Sequence, residues 1–326
     1  MSAVGIENGL HKRLKKRSTV VIAALNLLLY YFLLRWASEN IDLEKFAGYF
    51  KQISASVLII SVALKFLLLA VYGARMALLL KSNFRTAFFV INIGAALNTL
   101  LPFRLGEALK IYLSHKLLMT PVPGIFVGAI AEKLIDVCVV LFLCGAIVIF
   151  SAGDTIRGTL LLVVGTMTVV GISGITLARR NIVRIVKILP KNGLTRRIAI
   201  DLYKHSSELP TIPIFFITLI IWVLYVGLVF FSFNTYSPEI RISVLDSVAL
   251  LVIMALAIGV PSAPAGFGLF EAGVVAYLTR HSAVSNEAAL AAASIFHLVI
   301  TLPQLAVMVW LIFTQQTATL KESSTT

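Results

Sequence analysis

Residues 97–113 read LNTLLPFRLGEALKIYL, an apolar run that is broken at Pro102 and carries Arg104 and Glu107. A helix needs about 20 consecutive apolar residues to cross a bilayer, and neither half of this stretch is comfortably long enough. Its surroundings are not those of a soluble core. Of 326 residues, 59% are hydrophobic and 13% charged, and the mean hydropathy is +0.96. Full-length apolar runs fall at about 19–36, 53–80, 122–150, 159–178, 211–234 and 287–314. Backbone groups in lipid must bond within their own segment, which argues for helices and not a barrel. Residues 246–280 repeat the broken pattern, with two short apolar pieces separated by Pro and Gly. The expected fold is therefore an all-α polytopic membrane protein with about six full transmembrane helices and two re-entrant helical hairpins, 86–118 and 246–280.

Lysine and arginine set the expected orientation. The segment HKRLKKR precedes the first span, Arg75, Lys81 and Arg85 follow the second, and a basic loop at 179–210 follows the fourth. These sides are expected in the cytoplasm with both termini, in the cytoplasmic membrane. The loops SENIDLEKF, SAGDTIRG and NTYSPEIRIS are acidic or nearly neutral. The net charge of +13 is read as this bias, with attraction to anionic lipid head groups at the cytoplasmic face, and not as nucleic-acid binding. The chain reads as one membrane domain, 1–326. Each half runs span, span, hairpin, span, and an odd number of crossings inverts the second unit, so 19–150 and 159–314 form an inverted repeat. The hairpin tips share a pattern: Pro102, Gly106, Glu107 and Ala108 against Pro264, Gly268, Glu271 and Ala272. The 179–210 loop reads as a connector, although Ile182, Ile185 and Leu189 near one face would also suit a surface helix. No cleavable signal peptide is visible. Cys138 and Cys144 lie inside one apolar run as small hydrophobes.

Charges at mid-membrane are expensive and usually paired. Arg104 and Glu107 stand three apart after Pro102, on one face of a short helix; Glu132 and Asp136 stand four apart on the third span, with Lys133 a quarter-turn away. Lys65 interrupts the second span. As a scaffold, Arg104 would neutralise Glu132 or Asp136, and Lys65 would neutralise Glu107 or Glu271. As a site, the second arms of both hairpins would aim helix N-termini at the membrane centre and, with Arg104, hold an anion such as phosphate. Gly266 and Gly268 would let the backbone approach it closely.

The segments LPFRLGEALKIYL, AEKLIDVCVVL and PSAPAGFGLFEAGVVAYL resemble the membrane domain of the lysylphosphatidylglycerol synthase/flippase family, over nearly the whole chain. Three elements carry the resemblance: Pro102 to Glu107, Glu132 to Asp136, and Pro264 to Glu271. Where the family often has Arg in the second element this chain has Lys133, which keeps the charge but not the planar fork. The resemblance implies translocation of a phospholipid or polyprenyl-phosphate-linked lipid between leaflets. It tells against synthesis, because bifunctional members carry a soluble aminoacyl-transferase domain after the membrane part and this chain ends in TATLKESSTT.

The reading is a lipid flippase or scramblase and not an enzyme, with a membrane lipid as its partner, no cofactor and no metal, and a homo-oligomer left open. Arg104, Glu107, Glu132, Asp136, Glu271 and Lys65 are the expected substrate-binding residues, and Pro102, Gly106, Pro264, Gly266 and Gly268 supply the tip backbones. Two rivals remain: an intramembrane lipid-phosphate enzyme such as a polyprenyl-diphosphate phosphatase, and a transporter of a small soluble anion. Against the enzyme, no Ser-His or Cys-His pairing and no zinc motif is visible, Ser262 is the one hydroxyl near the second tip, and His297 reads as a lone packed histidine.

Overall fold

The computed structural model describes residues 28, 31–32, 34–101, 105–151, 194–259, 264–282 and 284–323. The fourth span, most of the first, the surface-helix residues Ile182, Ile185 and Leu189, Ser262 and the tip residues Pro102 and Arg104 lie outside them.

The described residues are helical, with no strand among them. In chain order the helices are α1 (Leu43–Gln52), α2 (Ala55–Leu80), α3 (Phe84–Leu100), α4 (Leu105–Leu117), α5 (Val122–Ser151), α6 (Leu194–Ser207), α7 (Thr211–Tyr236), α8 (Val244–Gly259), α9 (Leu269–His281) and α10 (Asn286–Ser323). A 3-10 turn, Pro264–Gly266, lies between α8 and α9. Three segments are long and apolar enough to cross a membrane: α2, α7 and Asn286–Thr314 of α10, at mean hydropathies of 2.4, 2.8 and 2.1. At about 1.5 Å of rise per residue each exceeds a hydrocarbon core of about 30 Å. Helix α5 is longer than α2 but carries Glu132, Lys133 and Asp136.

The core is built on α7. Its buried Leu228, Val229 and Phe233 join Leu68 of α2, Phe270 and Leu278 of α9, and Phe296 of α10. The first half of α10 buries Ala288, Ala289, Ala292 and Ala293, small residues that let helices approach closely in lipid, where packing replaces the hydrophobic effect.

Polar contacts sort the helix ends. At one end Lys81, the left-handed cap of α2, pairs with Glu208 at 2.8 Å, and His205 packs on Gly124 at the start of α5. At the other, Tyr49 donates to Glu239 between α7 and α8, and Ser285 before α10 donates to the same carboxylate at 2.9 Å. Loops that charge had assigned to one side thus meet at one end. The α3–α4 pair opens near Lys81, because Asn83 caps α3 through the Thr86 amide. The α8–α9 pair opens near Glu239, and its tip turn packs on α3.

Between α3 and α4 the backbones nearly touch. A methyl group on Gly106 would collide with the Gly94 carbonyl and lie 2.6 Å from the Asn98 amide nitrogen and side-chain oxygen. Gly106→Ala is therefore expected to cost about 1–3 kcal/mol through overpacking. Thermal unfolding in detergent checks this, with Gly48→Ala as control, since nothing lies within 4 Å of that position.

One sequence reading is overturned here. Arg75 is not a loop residue marking a membrane face; it lies inside α2 and is 2% exposed. The apolar run 53–80 already enclosed it, and an arginine there has to be read as an intramembrane charge.

Candidate functional site

Arg75 reaches from α2 to α5. It donates to Asp136 at 2.6 Å and to Glu132 at 2.9 Å, and its guanidinium sits 5.1 Å from the Tyr72 ring centre. The four-residue spacing of Glu132 and Asp136 puts both carboxylates on one face of α5, where a forked cation can hold them together. From α7, Thr218 accepts a 3.5 Å contact from Arg75, and the Trp222 indole donates to Asp136 at 3.1 Å. On α4, Lys110 pairs with Glu107 at 2.8 Å and with Glu132 at 3.6 Å; Lys133 lies 3.5 Å from Glu132. Asn98 binds Glu107 through both backbone and side chain, tying α3 to α4. The network holds three cations, Arg75, Lys110 and Lys133, against three carboxylates, Glu107, Glu132 and Asp136. It is electrically balanced.

Lys65 stands apart. It is 3% exposed, and its ammonium meets the Tyr225 hydroxyl at 3.4 Å and the Tyr225 ring at 5.7 Å, with no carboxylate partner among the described residues. The alternative scaffold pairing with Glu107 or Glu271 is not made: Glu107 is held by Lys110, and Glu271 by a histidine. His297 of α10 is not a lone packed residue, since its Nδ1 lies 2.7 Å from Glu271 Oε1. The other Glu271 oxygen accepts the Gly268 amide at 2.7 Å, capping α9. Phe267 and Phe270 stack on the imidazole at 4.3 and 4.2 Å. Gly266 and Gly268 hold φ of 74° and 81°, which excludes ordinary side chains at both positions.

These groups border one cavity of about 360 Å³. Lys65 and Tyr72 line it from α2, Asn98 and Thr99 from α3, and Glu107 and Lys110 from α4; Glu132 and Lys133 face it from α5. Tyr225, the tip residues Ala265 and Gly266, and His297, Thr301 and Gln304 of α10 complete the wall. Of the expected binding residues, Lys65, Glu107, Glu132 and Glu271 are thus gathered in and around it, while Asp136 stands behind, on Arg75. Pro264 opens the 3-10 turn, and Gly106 is committed to packing on α3.

A sequence model described as lysylphosphatidylglycerol synthase TM region matches residues 21–307. The chain belongs to that family. The match covers all three motif elements and most of the last span, and membership gives the protein a membrane-lipid-related, flippase-like setting. The comparison with curated proteins found no match. Within the family motifs the geometry separates two jobs. The Glu132 to Asp136 element is a clasp around Arg75, and the Pro264 to Glu271 element orients His297. Arg75, Lys110, Trp222, Tyr225 and His297 were missed as site residues. Lys110 had a readable signal, three residues after Glu107 on one helix face; Trp222 and Tyr225, on the uniformly apolar α7, had none.

Proposed function

We propose that the protein is a lipid translocase of the cytoplasmic membrane, moving a phosphate-bearing lipid, phospholipid or polyprenyl-phosphate-linked, between leaflets. The observation that carries this reading is the cavity bordered by α3, α4 and the turn between α8 and α9. It is wide enough for a headgroup and holds a buried cation, Lys65, with no carboxylate partner among the described residues. Headgroup phosphate docks on Lys65, with Arg104 and the tip amides as further donors, while the acyl or prenyl tails stay in lipid. The α3–α4 and α8–α9 pairs act as re-entrant hairpins of two inverted units, with both termini in the cytoplasm. Rocking of one unit against the other exposes the cavity to each leaflet in turn. That the two pairs open toward opposite ends supports this arrangement. No covalent step is required, so the reading is not an enzyme.

The test uses purified protein in liposomes, following fluorescent phosphatidylglycerol, an aminoacylated form and a short polyprenyl phosphate by quencher accessibility. Movement of one class, reduced at least tenfold by Arg104→Ala, is expected. No movement of any class by folded wild-type protein sinks the reading. The Glu271–His297 pair lends weight to one rival, a lipid-phosphate enzyme using histidine as base. Phosphate release from a lipid diphosphate, with no change in leaflet distribution, would decide for it.

A further inference from the structure

The Arg75 network balances its own charges, so the charged groups left for a ligand among the described residues are Lys65 and the Glu271–His297 pair. In that pair one proton occupies the 2.7 Å gap between Nδ1 and Oε1, and Glu271's second oxygen is already bonded to the Gly268 amide. His297 is 0% exposed, lines the cavity, and its Nε2 has no hydrogen-bond partner among the described residues. A buried polar atom without a partner calls for a reason. With the proton on Nδ1, neutral imidazole presents a lone pair at Nε2, which repels a phosphate oxygen; imidazolium presents an N–H there, which binds one.

Charge balance points the same way. Among the described residues, Lys65 and the Glu271 carboxylate cancel when His297 is neutral. Adding one proton to His297 raises the charge of these three groups by one, which strengthens their attraction for a phosphodiester whatever Arg104 contributes. The other ionisable groups bordering the cavity are Tyr72 on α2, Tyr225 on α7, Glu107 and Lys110 on α4, and Glu132 and Lys133 on α5. The four charged residues belong to the balanced network.

We propose that His297 is a phosphate donor of this cavity, and that the Glu271–His297 pair takes up one proton when a phosphodiester headgroup binds. The proton comes from water, forms the Nε2–H bond, and returns to water when the headgroup leaves. Translocation is then coupled to proton movement through the ligand's own charge. This inference rests on the phosphate-binding translocase reading above.

The experiment is calorimetric titration of the full chain in detergent with dihexanoyl phosphatidylglycerol, in two buffers of different ionisation heat and over a range of pH. A phosphodiester does not titrate near neutrality, so any proton taken up belongs to the protein. Uptake of about one proton per lipid is expected, with the apparent Kd rising by up to tenfold per pH unit where the pair is unprotonated before binding. His297→Gln should abolish the uptake and flatten that rise to less than twofold per unit. Glu271→Gln, which keeps a partner for Nδ1 but removes the carboxylate, should also reduce it and serves if His297→Gln does not fold. Binding by wild type without proton uptake overturns this inference alone; it would mean that the shared proton sits on Glu271 and neutral His297 donates from Nε2. Undiminished uptake in both variants also overturns it. No binding by folded wild type overturns the phosphate cavity with it. Glycerophosphoglycerol, the headgroup without tails, separates a lipid from a soluble anion as the source of phosphate, and equal proton uptake with it supports the inference.

Discussion

Arg75→Ala is expected to cost about 3–5 kcal/mol of stability, because removing one partner of a buried ion cluster leaves the others uncompensated. Glu132 would keep Lys110 at 3.6 Å and Lys133 at 3.5 Å. Asp136 would keep the Trp222 N–H at 3.1 Å and no cation. Glu132 is buried and Asp136 partly so, which limits how far water can take the place of the lost cation. The expected readout is a collapse of monodisperse protein after mild heating in detergent, followed by size-exclusion chromatography. A second substitution makes the cause testable. Arg75→Met combined with Asp136→Asn removes one positive and one negative charge and leaves Glu132 to the lysines, so the double variant should recover most of the lost stability. A coupling energy near zero in that double-mutant cycle would sink the clasp assignment.

Lys65→Ala is expected to do the reverse. The lysine has no carboxylate to orphan, so its removal relieves a buried charge and should leave the unfolding temperature unchanged or raised. Phosphate binding should suffer: a hydrogen bond to a charged group contributes about 1.5–3 kcal/mol, or roughly 10- to 150-fold in affinity. Titration with short-chain phosphatidylglycerol and translocation rates in liposomes read this directly. Wild-type translocation by Lys65→Ala would remove Lys65 from the site. A loss of stability matching that of Arg75→Ala would make it part of the scaffold instead.

The contrast between these two residues marks how far the sequence could be read. Both are basic residues inside one apolar run, yet the sequence reads Arg75 as a loop charge and Lys65 as a binding residue, with a scaffold pairing to Glu107 or Glu271 as the alternative. Spacing along a helix is local and was read correctly: Glu132 and Asp136 do share a face of α5. Which cation they meet depends on how α2 turns against α5, and no local rule supplies that rotation. Likewise Glu271 was legible as an intramembrane carboxylate at a glycine-rich tip. Its partner lies on another helix, 26 residues on, and could not be named.

Hydrophobic run length, interrupted twice by proline and glycine, was enough to specify a helical membrane protein and to locate α2, α5, α7 and α10 and both short helix pairs. Lipid makes this legible because every backbone group must bond within its own helix, so span boundaries are written in composition. The division of charges into a balanced clasp and a free cation beside a histidine was not written there. It depends on side-chain contacts between helices, such as 2.6 Å for Arg75–Asp136 and 3.6 Å for Lys110–Glu132, and those follow from packing across the bundle, where residues far apart in the chain compete for the same partners.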